Sequence, residues 1–293
     1  MISFRTIDQV QQWALQSLLD SGAEVAPRGL RTRELEAMQF RLENPRARCV
    51  TNSTRRWSFP VALGEFTWHA GGNRDLRHLA YYLPRWVEFS DDRCAVRGSC
   101  YGWRIFRSRG DRGSQWERVL GLLRTDPDSR RAVMTLHSPA ALLDAHLKDI
   151  PCALAMQFFI RDGTLDAICT MRSNDVIWGL PYDMFLFTML QELLASHLGV
   201  PLGTYTHFAG SMHLYERHYT LARRIVGGPI AESGVMRPLE NPEQLPLFLA
   251  HEAWLRNQST PRPDAELSSP YWRELLGVLE SFAAGHSAAP PEL

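Results

Sequence analysis

Apolar residues recur at three-and-four spacing between Thr6 and Leu19, which predicts an amphipathic helix. A polar turn from Gly22 to Arg31 separates it from a strand near Leu35 to Leu42. Pro60 to Ala70 reads as a helix opened by proline, with Glu65 set among Val61, Leu63, Phe66 and Trp68. On periodicity alone Glu65 belongs at a solvent-facing helix edge. Trp116 to Leu123 is helical, Asp126-Pro127-Asp128-Ser129 is turn chemistry, and Ala132 to Leu136 is a short strand entered through Arg130-Arg131. Two apolar runs, Ala153 to Arg161 and Leu165 to Met171, flank Asp162-Gly163 and predict a hairpin closed by a type I′ turn. Leu180 to Leu198 is a long apolar helix suited to a central core position, with Asp183 in its first turn. A strand from Gly203 to Leu214 follows, then a helix from Glu216 to Arg224 and two amphipathic helices, Glu240 to Leu255 and Tyr271 to Ala284. The pattern predicts an α+β chain, one domain over residues 1–293 with a helical C-terminal extension from about residue 225.

Composition narrows the chemistry. Lys+Arg and Asp+Glu both number 32, so no net field draws the chain to nucleic acid or an anionic membrane, and an anionic ligand must be held by local arginines. Lys148 is the only lysine, a bias of the kind a GC-rich genome produces. The five cysteines, Cys49, Cys94, Cys100, Cys152 and Cys169, show neither metal spacing nor an even disulfide framework, so no metal is expected and a reducing cytoplasm fits. The N-terminal segment carries Asp8, Gln11, Gln12 and Trp13, unlike a signal peptide, and Asp183, Gln191 and Glu192 make the longest apolar helix too polar for a bilayer. A soluble protein is expected.

The hairpin supplies the first chemical prediction. Cys152 starts one strand and Arg172 ends the other, so a tight turn at Asp162-Gly163 makes them spatial neighbours. A guanidinium beside a thiol favours the thiolate, the nucleophilic form. The competing reading is an inert buried cysteine. Arg28, Arg130, Arg131, Arg172 and Ser173 are candidates for a phosphate site by charge-assisted hydrogen bonds, with scattered surface charge as the alternative.

From about Arg28 to His218 the chain resembles the thymidylate synthases. The resemblance rests on Asp126-Pro127-Asp128-Ser129-Arg130-Arg131, Pro151-Cys152, Arg172-Ser173-Asn174-Asp175, Gly179-Leu180-Pro181 and His213-Leu214-Tyr215, in that order. It implies a mixed sheet packed with helices and a homodimer joined through the sheet. It further implies addition of Cys152 to C6 of a pyrimidine nucleoside monophosphate, with 5,10-methylenetetrahydrofolate as one-carbon donor. Arg28, Arg172 and Ser173 would hold the 5′-phosphate, and Arg130 and Arg131 would reach that of the neighbouring subunit. His213 and Tyr215 would meet the ribose hydroxyl, while Glu65 would order water and shuttle protons at the pyrimidine. Tyr101 resembles the family's active-site tyrosine, and Trp86, Asp175 and Gly179 would face the folate.

Four departures from the family pattern bear on specificity. Asp183 stands where a synthase has an asparagine that reads uracil, and a carboxyl there suits cytosine, accepting from the 4-amino group and, when protonated, donating to N3. The family's cytidylate hydroxymethylases are similar at this position. The plain alternative is that Asp183 caps its helix. Ala153 replaces a usual histidine and Met171 a usual glutamine. The C-terminal stretch from Gly285 to Leu293 resembles no closing tail, which predicts water access to the C5 methylene and a 5-hydroxymethyl product. The expectation is therefore a CMP or dCMP 5-hydroxymethyltransferase. An atypical thymidylate synthase or uridylate C5-methylating enzyme, and a non-catalytic nucleotide-binding module, are the alternatives.

Overall fold

A mixed sheet, built largely from the apolar strand runs, forms the frame, and the computed structural model describes it within residues 1–107, 110, 113–138, 147–230 and 234–285. In chain order the elements are β1 (Ile2–Phe4), α1 (Ile7–Ser21), β2 (Ala23–Val25), β3 (Thr32–Leu42), α2 (Phe59–Ala70), α3 (Leu76–Tyr82), α4 (Tyr101–Phe106) and α5 (Gln115–Thr125). There follow β4 (Val133–Thr135), β5 (Ala153–Arg161), β6 (Thr164–Met171), β7 (Asn174–Asp175), α6 (Leu180–Leu198), β8 (Leu202–Tyr215), α7 (Tyr219–Val226), α8 (Leu245–Arg256) and α9 (Pro270–Ala283). The main sheet path runs β1-β3-β8-β6-β5-β4, with β2 added to β3 and β7 added to β8. Antiparallel β5 and β6 lie beside β8, which is parallel to β6 and antiparallel to β3.

The local chemistry explains the main boundaries. Thr6 caps α1 by accepting from Gln9 N, Ser58 caps α2 with Pro60 in the first turn, and a Ser114–Glu117 capping box opens α5. Asp162 and Gly163 both have positive φ, 49° and 75°, as a type I′ turn requires. The polar turn at 22–31 differs from expectation in holding β2 and a 3₁₀ turn, Pro27–Gly29, inside which Arg28 sits at φ 54°. The segment after β8 likewise starts as a 3₁₀ turn, Glu216–His218, before α7.

Helix α6 is buried nearly all round and lies with α1 against one face of the sheet, whose inward row includes Met38, Phe40, Tyr205, Ala209, Cys169 and Met156. Its far end is fixed by Glu192, which pairs with Arg46 and the buried Arg48 and accepts from Leu239 N at 3.0 Å. Register aligns Gln39, Arg41, Gln157, Phe159, Ile168 and Phe208 on the opposite face, where Gln39 and Arg41 are exposed and the others half-buried. The C-terminal helices α8 and α9 pack on each other and on α2. There Glu252 of α8 accepts from the Tyr82 hydroxyl at 2.9 Å and meets His78 Nε2 at 3.3 Å, tying the extension to α3. No described helix is long and apolar enough to cross a membrane.

Candidate active site

The hairpin places Cys152 and Arg172 together. Arg172 N donates to Cys152 O at 2.9 Å, and the guanidinium donates from Nε to Pro151 O at 2.8 Å and from Nη2 to Ile150 O at 3.1 Å. The same Nη2 stands 3.7 Å from Cys152 Sγ. Tyr101, at the start of α4, presents its hydroxyl to the amides of Cys152 and Ala153, both 3.2 Å away. Behind it the His69 ring stacks at 5.4 Å, accepting from Gly102 N through Nδ1. A side chain at Gly102 would put its Cβ 1.8 Å from His69 O, so α4 needs glycine there to approach α2. Asp149 anchors the segment leading to the cysteine by accepting from Gly98 N, Ser99 N and Ser99 Oγ at 2.6–2.8 Å.

The thiolate is disfavoured in this arrangement. Burial pushes the Cys152 thiol up to about 11; Arg172 and Arg28 pull it down, but Asp183 and Asp149 push with burial. A guanidinium beside the sulfur is outweighed by desolvation and two carboxylates. Three further cysteines, Cys49, Cys100 and Cys169, are fully buried hydrophobes, so partial exposure distinguishes Cys152 from them.

Glu65 is half-buried on α2, which overturns the solvent-edge expectation. Burial raises its carboxyl to about 8, and the Asp183 charge adds to that. Trp86 opposes the rise as a nearby donor, although its buried Nε1 makes no formed hydrogen bond among the described residues. Asp183, one turn into α6, is pushed up to about 7 by burial, with the Asn174 hydrogen bond opposing and Asp175 adding. Its carboxyl does not cap the helix. Gly179 occupies the cap with no side-chain bond, and Asp183 Oδ2 instead accepts from Asn174 Nδ2 at 2.7 Å. Gly179 makes that pair possible, since a Cβ there would sit 2.8 Å from Asn174 Nδ2 and 3.2 Å from Asp183 Oδ2.

Beyond Met171 the chain breaks at Arg172-Ser173 over Gly210 and rejoins β8 as β7, pairing Asn174 with Met212 and Asp175 with His213. That register sets Ser173 Oγ 3.4 Å from His213 Nδ1, and the His213 ring meets Tyr215 edge-on at 5.1 Å. Burial lowers the His213 pKa, against the opposing Asp175 charge. Asp175 Oδ1 accepts from Ile177 N and Trp178 N, shaping the turn into α6, and Oδ2 has no hydrogen bond among the described residues. Arg28 is exposed, and its charge acts on both Cys152 and Tyr215. Arg130 and Arg131 are exposed, and neither guanidinium makes a hydrogen bond or ion pair among the described residues.

Several contributors carried no sequence signal of their own. Asn174, His69 and Asp149 gain their roles through partners in other elements or loops. Arg55 is another: it donates to Ile177 O at 2.5 Å and lies against Trp178 and Tyr182. It also lines a cavity of about 410 Å³ with Ser53, Thr54, Arg56, Leu221 and Arg224, which holds none of the predicted site residues. No cluster able to hold a metal ion occurs among the described residues. The expected loss of a closing tail falls on residues 286–293, outside the described residues.

Comparison with known proteins bears on this arrangement. The thymidylate synthase family model matches residues 11–233. A deoxyuridylate hydroxymethyltransferase from Bacillus phage SP01 is 30% identical over 215 residues, covering 70% of this chain; the chain thus spans 56% of that relative's length. The fold is similar to that of thermostable thymidylate synthase A from Bacillus subtilis, with TM-score 0.66, 21% identity, and coverage of 78% of this chain and 86% of that one.

Proposed function

The chain belongs to the thymidylate synthase family, and from that premise we propose that it transfers a one-carbon unit from 5,10-methylenetetrahydrofolate to C5 of a pyrimidine nucleoside monophosphate, taking cytidylate (CMP or dCMP) and releasing the 5-hydroxymethyl product. The observation that carries the base assignment is Asp183: a desolvated carboxyl, raised to about 7, bonded to Asn174 and not to its helix. Protonated, it donates to cytosine N3 while its other oxygen accepts from the 4-amino group. Ionised, it is repelled by the carbonyl at uracil O4.

Arg172, Arg28 and Ser173 bind the phosphate, and His213 and Tyr215 flank the sugar. Cys152 Sγ bonds to C6, and electron density moves through C5 and C4 towards N3, where the Asp183 proton stabilises it. C5 then bonds the incoming carbon; loss of the C5 proton breaks that carbon's bond to the folate nitrogen, which would release tetrahydrofolate and leave an exocyclic methylene at C5. Glu65 holds the water and moves the proton released from C5. Addition of that water to the exocyclic methylene and expulsion of Cys152 from C6 give the hydroxymethyl nucleotide.

The donor folate supplies a carbon at the formaldehyde oxidation level. Trp86, whose N–H makes no formed hydrogen bond among the described residues, and Asp175, whose Oδ2 makes none there, are the groups whose chemistry fits a pteridine ring, and Gly179 keeps the adjoining backbone close to Asp175. The outward sheet row at Gln39, Arg41, Phe159 and Phe208 serves as a homodimer face, through which Arg130 and Arg131 reach the neighbouring site. A single domain over 1–293 and a cytoplasmic location complete the reading.

A second reading is favoured by the phage relative, whose name gives deoxyuridylate as substrate: the same hydroxymethyl transfer on uracil. Incubation with methylenetetrahydrofolate and each of CMP, dCMP, UMP and dUMP separates the two. Hydroxymethylcytidylate with tetrahydrofolate is expected. Product only from uridylates, or dihydrofolate formed with dUMP, refutes the cytidylate reading.

A further inference from the structure

We propose that Asn174 is a positioning residue for base choice: it dictates which oxygen of Asp183 carries the proton, and so aligns the carboxylic acid for cytosine. The inference rests on the cytidylate reading above and adds a residue to it. Asn174 is 2% exposed, lies in the two-residue strand β7, and its amide Nδ2 donates to Asp183 Oδ2 at 2.7 Å. Its Oδ1 is buried without a partner, so among the described residues the side chain's bonding goes to Asp183 alone.

A carboxylic acid has one donor oxygen and one acceptor oxygen, and either can be either. An N–H aimed at Oδ2 forces that oxygen to accept, because an O–H there would face a second donor. The proton is thereby confined to Oδ1. Recognition of cytosine needs this division: one oxygen donating to N3, the other accepting from the 4-amino group. A freely rotating acid would spend half its population in the reversed state, and an unanchored carboxyl would also lose its rotamer. The backbone enforces the contact from two sides: β7 is locked by pairing of Asn174 with Met212, and glycine at 179 leaves room for the amide.

The test is a double-mutant cycle read by nucleotide dissociation constants for cytidylate and uridylate, measured calorimetrically on wild type, Asn174→Leu, Asp183→Asn and the double variant. Asn174→Leu keeps the branched shape and the number of side-chain heavy atoms and removes the donor. Asp183→Asn is expected to shift preference towards uridylate. Asn174→Leu is expected to cut the cytidylate-over-uridylate ratio at least tenfold in the wild-type background and to leave it unchanged in the Asp183→Asn background. Loss of affinity for both nucleotides alike would mark mere structural damage and overturn the proposal. A changed preference in Asp183→Asn with an unchanged ratio in Asn174→Leu overturns the Asn174 role alone. An unchanged preference in Asp183→Asn, or no binding of any pyrimidine nucleotide, overturns the cytidylate reading and this inference with it. If Asn174→Leu does not fold, Asn174→Ala enters the same cycle.

Discussion

The raised Cys152 thiol gives a quantitative expectation for the nucleotide-free protein. Moving the thiol from its ordinary 9.0 to about 11 leaves roughly one thiolate in 1,000 at pH 8, against about one in 11 for an unperturbed cysteine. Alkylation by iodoacetamide proceeds through the thiolate, so Cys152 should react about 100-fold more slowly at pH 8 than an exposed cysteine of ordinary acidity. The two-unit difference corresponds to about 2.7 kcal/mol against ionisation. Peptide mass spectrometry follows Cys152 separately from exposed Cys94, and its rate should climb about tenfold per pH unit without a plateau up to roughly pH 10. Arg172→Leu removes the main opposing charge and slows the reaction further; Asp183→Asn removes a carboxylate that raises the thiol and speeds it. A plateau below pH 9, or acceleration in Arg172→Leu, would refute the reasoning that burial outweighs the guanidinium. The consequence for mechanism is that activation of the cysteine falls to the nucleotide-bound state, in which base recognition by Asp183 neutralises a charge that raises the thiol.

Other expectations follow from the same geometry. Asp183 is protonated below about pH 7 and ionised above it, so cytidylate affinity, measured calorimetrically, should fall as pH rises through 7 to 9, and this fall should vanish in Asp183→Asn. Gly179→Ala brings a Cβ within 2.8 Å of Asn174 Nδ2 and should lower the cytidylate-over-uridylate binding ratio, with little change in phosphate affinity. Arg172→Ala should weaken nucleoside monophosphate binding by about 10–100-fold and leave the free nucleoside little affected, in line with about 1.5–3 kcal/mol for a hydrogen bond to a charged group. Tyr82→Phe leaves the buried Glu252 short of a donor and should cost about 1–3 kcal/mol in urea unfolding.

Periodicity located the long elements because their burial is one-sided or complete. Helices α1, α2 and α6 and the β5–β6 hairpin lie close to the predicted spans, and the Asp162-Gly163 turn delivered the Cys152–Arg172 neighbourhood from spacing alone. Short elements escaped. α3 and α4 run only 7 and 6 residues, and α4 contains Gly102, a poor helix former kept for its close approach to His69. Electrostatic balance was illegible for a different reason. The charge of Arg172 near sulfur could be read from the hairpin, but what reverses its effect is burial against Tyr101 of α4 and the charge of Asp183 on α6, elements whose approach no spacing shows. Glu65 was misplaced for the same cause, since the surface it faces is made by α6 and the Trp86 segment. Asn174 is one polar residue among four in a row, and only parallel pairing with β8 and the turn at Gly179 turn it inward.

Release of the C5 hydrogen reports attack of Cys152 at C6 of the cytidylate ring. Wild-type protein with methylenetetrahydrofolate and [5-³H]cytidylate should liberate tritium to water and form the hydroxymethyl nucleotide, and Cys152→Ala should abolish both. Tritium release from [5-³H]uridylate but not from cytidylate, or release that survives Cys152→Ala, would contradict the account.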